Sequence, residues 1–139
     1  MFGRKHRRIA VALTCADWRL HQHKVDLNRR LARSVGVDGV DLIAVPGPDG
    51  MLLPERKTEW DAATAQIRLL IGAHNPDKLV VLAHQRCAGH PVSDEGHDTD
   101  VAAAAKALKA ATQFPGPVAA MVAVYHADLK WGLKRIGTV

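Results

Sequence analysis

Ile9-Ala10-Val11-Ala12-Leu13-Thr14 runs without a charge, and polar chemistry begins directly after it in Cys15-Ala16-Asp17-Trp18-Arg19. A run this short and this continuously apolar, with no in-out alternation, suits a β-strand buried on both faces. Val40 to Val45, Lys78 to Ala83 and Val118 to Tyr125 repeat the pattern. The segments between them have helical period. Leu20, Leu27, Leu31 and Val35 share a face in the first, Trp60, Ala63, Ile67, Leu70 and Ile71 in the second, and Val101, Ala105, Leu108 and Ala111 in the third. Punctuation agrees with these elements. Gly36 and Gly39 follow the first helix, Asn75-Pro76 stops the second, Pro115-Gly116-Pro117 stops the third, and Asp98 or Thr99 supplies the third N-cap. Strand and helix alternate, so the expected fold is α/β, a three-layer α-β-α sandwich around a mostly parallel sheet of order 2-1-3-4. Asp128 to Val139 is expected to form a C-terminal edge strand or a partner-binding arm.

At 139 residues the chain suffices for one domain and not two, so residues 1–139 are read as a single unit with a basic tail at 1–8. The apolar run from Val118 to Tyr125 is far short of the roughly 20 residues that span a bilayer. No signal-peptidase site follows the tail, which points to the cytoplasm. The formal charge of +5 is concentrated in that tail, and with 4% aromatic residues there is no stacking platform for single strands, so neither nucleic acid nor membrane is an expected partner. No glycine-rich phosphate loop is present.

Cys15 and Cys87 are the only cysteines. One bridge would be dispensable in a chain with an adequate core, so metal binding or catalysis is the better reading. Cys15 ends the first predicted strand, and His84 ends the third with Cys87 just beyond. In order 2-1-3-4 those strands are neighbours whose connections leave in opposite directions, where open α/β sheets bind ligands. Two thiolates and an imidazole suit zinc and leave a fourth position for water or a carboxylate. The competing reading is two inert buried thiols and a satisfied core histidine.

Cys15-x-Asp17-x-Arg19 followed by His84-x-x-Cys87 resembles the zinc signature of β-class carbonic anhydrases, and the strand order across Ile9 to Tyr125 resembles their core. The resemblance implies Zn2+ on Cys15, His84 and Cys87, an Asp17–Arg19 dyad as the catalytic pair, and a homodimer or higher homo-oligomer. It implies reversible hydration of carbon dioxide to bicarbonate by zinc-bound hydroxide. An ionised Asp17 would admit to the fourth position only a species with a proton to share, and Arg19 would hold it in place. The rival role is Asp17 as fourth ligand in a closed, inactive state. Two thiolates make the metal less acidifying than three imidazoles would, so activity is expected to rise on the alkaline side.

The chain also departs from that family. Val45-Pro46-Gly47-Pro48-Asp49-Gly50 stands in place of an Arg-Asn-Ala-Gly-like segment, Ala88 in place of the glycine after the second cysteine, and the N-terminal helical arm is reduced to the basic tail. Hydrolysis of carbonyl sulfide or carbon disulfide is therefore an alternative, with pocket width as the discriminator. A non-catalytic zinc-stabilised interaction module is another, and a thiol phosphatase is weakest because the loop lacks the glycines of a phosphate cradle. His90 and His97, with Asp94, Glu95 and Asp98, crowd the segment after Cys87. They are read foremost as a solvated polar loop, otherwise as proton shuttles or a second metal site. His21 and His23 are too close in sequence to chelate from one helix face, and Trp18, Trp60 and Trp131 are read as packing or interface residues.

Overall fold

A computed structural model describes residues 7–139, so most of the basic tail lies outside the described residues. Five strands form one sheet: β1 (Ile9–Cys15), β2 (Gly39–Val45), β3 (Lys78–His84), β4 (Val118–Ala127) and β5 (Lys130–Thr138). Their spatial order is β2-β1-β3-β4-β5. The first four pair in parallel, and β5 returns antiparallel along β4. The C-terminal segment is thus the edge strand.

Helices α1 (Leu27–Val35), α2 (Lys57–His74) and α3 (Asp94–Thr112) connect the parallel strands. Alternation along each strand sorts its side chains onto two faces. Ala10 and Ala12 of β1, with Val80 and Leu82 of β3, meet Leu27, Leu31 and Val35 of α1. Val11 and Leu13, with Leu79 and Val81, meet Ala63 and Ile67 of α2 and Val101, Ala104 and Leu108 of α3. Both faces are covered, which is why the strand sequences are continuously apolar.

Two helix starts differ from the sequence reading. α1 begins at Leu27 instead of near Leu20. Leu20 is fully buried, but it sits in a chain of turns, because the Asp17 carboxylate accepts the backbone N–H of Arg19 at 2.9 Å and competes with helix formation. α3 starts earlier than expected. Its N-cap is Ser93, whose Oγ accepts the Gly96 N–H at 3.0 Å, and Asp98 and Thr99 lie inside the helix. The supposed polar loop is therefore partly a helix whose first turn carries Asp94 and Glu95 toward the positive end of its dipole. Gly36 closes α1 as expected, in the left-handed region at φ 72°.

Candidate metal centre

Thr14 of β1 pairs with Leu82 of β3, so Cys15 and His84 leave the same end of neighbouring strands. Cys87 returns to this end through Gln85 and Arg86. Arg86 takes a left-handed φ of 56°, with its guanidinium 3.8 Å from the centre of the Tyr125 ring, while the Gln85 N–H and side chain both bond to the backbone of β4. The tight turn is thus pinned to β4 at two successive residues.

The donor atoms of Cys15, His84 and Cys87 all lie within 4.8 Å of one another. The two sulfurs are 3.8 Å apart and unbonded. Two sulfurs at about 2.3 Å from one tetrahedral zinc would be about 3.8 Å apart, so their spacing is that of a shared ion. His84 offers a third candidate donor in the tautomer that a metal would need. Its Nδ1 lies 2.7 Å from the Gln85 carbonyl oxygen, which can only accept, so Nδ1 carries the proton and Nε2 presents a lone pair. That Nε2 is buried and has no hydrogen-bond partner. A buried nitrogen without a partner costs about 1–3 kcal/mol, and a metal ion is the partner that fits this set of donors.

Electrostatics favour the ligand state of Cys15. A hydrogen bond from the Cys87 thiol, opposed by burial and helped by His84 and by the Gly47 N–H at 3.4 Å, lowers the Cys15 pKa to about 4. The shared proton stays on Cys87, pushed well above the usual thiol range by the adjacent Cys15 thiolate and by burial. Burial opposes a charge on His84, but the Cys15 thiolate and the Asp17 carboxylate outweigh it and raise its pKa.

Asp17 stands beside this group, its Oδ2 3.7 Å from His84 Nε2. Arg19 grips it with Nε at 3.1 Å from Oδ1 and an Nη at 2.7 Å from Oδ2. The same Nη donates to the Arg86 carbonyl at 3.0 Å, tying the Asp17 segment to the His84–Cys87 turn. The Arg19 hydrogen bonds hold the Asp17 carboxyl below its usual range. Trp131, 4% exposed, packs edge-on against His84 with ring centres 5.5 Å apart. A cleft of about 580 Å3 opens onto Cys15 and Asp17, walled by Trp18, Pro46, Ala88 and Gly89.

The loop after β2 adds groups that the sequence reading did not identify. Gly47 donates its N–H to Cys15 Sγ, and a Cβ on it would lie 2.7 Å from the Gly89 backbone. A Cβ on Gly89 would in turn lie 2.8 Å from the Gly47 nitrogen, so neither glycine has room for a side chain, whereas Ala88 is accommodated. Arg56 donates to the carbonyls of Pro46, Gly47 and Gly89, lacing the two loops together. Only the paired glycines hinted at this close approach. His21 Nε2 donates to the Cys15 carbonyl at 2.7 Å, away from the cluster, and His23 is exposed. Trp131 is a packing residue as expected, whereas Trp18 is 66% exposed at the cleft.

His90 and His97 do not lie in a solvated loop. Both are buried, His97 completely, and each donates to a carboxylate at 2.6 Å: His97 to Asp49 and His90 to Asp100. Asp94 and Glu95 are exposed, and Asp98 pairs with Lys134. Sequence reading had gathered the right imidazoles with the wrong acids.

Among the described residues no helix is long and apolar enough to cross a membrane. The search of curated proteins returned no match. A family model described as "Putative carbonic anhydrase" matches residues 5–137, covering all three helices, the five strands but for the last residue of β5, and all the residues of the centre. The chain therefore belongs to that carbonic anhydrase family.

Proposed function

We propose that the chain is a zinc-dependent lyase of the β-class carbonic anhydrase type, converting carbon dioxide and water reversibly to bicarbonate and a proton. The observation that carries this reading is the cluster itself: two sulfurs at 3.8 Å and an unpartnered, lone-pair-bearing His84 Nε2, beside a carboxylate held by arginine. Cys15, His84 and Cys87 would hold the ion. Bound there, zinc supplies Lewis acidity that brings the ionisation of water toward neutral pH.

The remaining work falls to the chain's own groups. Asp17, ionised under the grip of Arg19, accepts a hydrogen bond from the water and so orients its oxygen toward the cleft. Arg19 acts through Asp17 as a positioning residue. Pro46, Trp18 and Ala88 form a weakly polar wall suited to an uncharged linear substrate. Trp18, exposed at the rim, supports reading the enzyme as a homodimer, and two unbonded neighbouring thiols support a reducing, cytoplasmic location.

The cleft of about 580 Å3 is roomier than carbon dioxide requires, and this observation supports a second reading, hydrolysis of carbonyl sulfide or carbon disulfide at the same centre. Metal analysis with stopped-flow hydration of carbon dioxide, on the natural chain and on Cys87→Ser, tests the proposal. Zinc at the cysteine centre and hydration in the first, with loss of hydration and of the zinc held by that centre in the second, is the expected result. Zinc without hydration overturns the lyase reading, and carbonyl sulfide turnover by that same sample would establish the second one.

A further inference from the structure

The two histidine–aspartate pairs beyond Cys87 form a second cluster that the proposed reaction does not use. Asp49 lies in the 3-10 turn Pro48–Gly50, His90 in the segment between Cys87 and α3, and Asp100 in α3. One donor atom from each lies within 4.8 Å of the other two. The three line an open pocket of about 230 Å3 together with Leu52, Pro54 and Ala103. His90 packs directly on the turn, since a Cβ on Gly50 would fall 2.5 Å from its Nδ1.

The hydrogen bonding of this cluster is incomplete. The Asp49 side chain is 1% exposed; its Oδ2 accepts from His97, but its Oδ1 has no partner. Arg56, whose guanidinium packs on Gly50 of this turn, is already paired with Glu59 at 2.6 Å. Each carboxylate thus has one imidazole partner, His97 for Asp49 and His90 for Asp100, and a nearly fully buried oxygen of Asp49 still lacks a donor. A buried charge without compensation is costly, and a cation coordinated by these groups removes that cost.

We propose that Asp49, His90 and Asp100 form a second metal site, distinct from the cysteine centre, that takes a divalent first-row transition ion such as zinc. The imidazole argues against calcium or magnesium, which prefer all-oxygen sets. The absence of sulfur makes this the harder and weaker of the two sites. His97 acts as the outer partner that orients Asp49, the role carboxylates and imidazoles commonly exchange around metals. An ion there would tie the turn after β2 to α3, and the same loop carries Gly47, whose N–H meets Cys15 Sγ.

Zinc binding by the full chain, measured by equilibrium dialysis with metal analysis, tests the proposal. The natural chain is expected to hold two zinc ions, Asp100→Asn one, and Cys87→Ser one, with the last ion lost when both substitutions are combined. Asp100 is more than one-third exposed at its side chain, so its amide should not prevent folding. Nitrogen-detected NMR of the histidine rings in the natural chain gives an independent readout. The second equivalent of zinc should shift His90 while leaving the exposed His23 unmoved. One zinc in the natural chain together with none in Cys87→Ser, two in Asp100→Asn, or a His90 signal indifferent to the second equivalent would each overturn the site. Because Cys87→Ser removes only the first centre, failure of that centre and failure of this one give different stoichiometries.

Discussion

Two loops, one after β2 and one after β3, feed two clusters of opposite chemical character. The first cluster takes Cys15 from a strand end and Cys87 from the β3 loop. It is soft, nearly dry, and its key nitrogen has no partner within the protein. The second takes Asp49 and His90 from the same two loops and is built from oxygen and imidazole already joined by two hydrogen bonds of 2.6 Å. Sequence distance separates their legibility as well. Cysteine at a strand end is informative alone, whereas an aspartate acquires meaning only from the neighbour that folding supplies.

The sharpest way to break the contrast is to remove one sulfur. Cys87→Ser should lower zinc affinity at the first centre more than about a hundredfold, since binding energies of about 10–16 kcal/mol rest on only a few ligands. Competition with a chromophoric chelator measures this loss, and an unchanged affinity would mean that Cys87 is not a ligand. Asp17→Asn should separate binding from catalysis. Zinc content should persist while hydration falls by about 10²–10⁴-fold, the usual range for a positioned proton-transfer group. Retained activity would reduce the dyad to a structural ion pair.

Protons give the next test. Zinc requires neutral His84 and thiolate on both cysteines, whereas the metal-free cluster keeps a proton on Cys87 and favours one on His84. Affinity should therefore rise with pH. The rise should be steepest below the raised His84 value, where two protons are displaced at about tenfold each per pH unit, and shallower above it, where only the Cys87 proton remains. Isothermal titration across a pH series is expected to show this rise, and a pH-independent affinity would contradict the assignment.

Smaller effects probe the loops that hold the two clusters together. Gly47→Ala forces a side chain at φ 49° against the Gly89 backbone and should cost about 1–3 kcal/mol in urea unfolding. Ser93→Ala removes the cap of α3, the helix that carries Asp100, and should cost about 1 kcal/mol by the same measurement.

The sheet was legible because strands covered on both faces must be apolar throughout, and Ile9–Cys15 and Lys78–His84 are. Their order then brought Cys15, His84 and Cys87 together without any knowledge of the loops. Less was legible where a side chain competes with the backbone. Asp17 captures the N–H of Arg19 and delays α1, so Leu20 matched a helical period while lying in a turn. Ser93 does not stand out as a cap in the sequence because Asp94 and Glu95 read as loop, although acids in a first turn are themselves a helix-start signal. The Asp49–His97 pair and the Arg56 clamp on three carbonyls depend on how the loops fold over one another, which no local pattern encodes.

The central claim is that two sulfurs and one ring nitrogen share a zinc ion. X-ray absorption at the zinc edge, on the full chain loaded with one equivalent, tests it directly. Two sulfur neighbours at about 2.3 Å are expected, with the remaining neighbours nitrogen or oxygen at about 2.0–2.2 Å. A first shell of nitrogen and oxygen alone would contradict it.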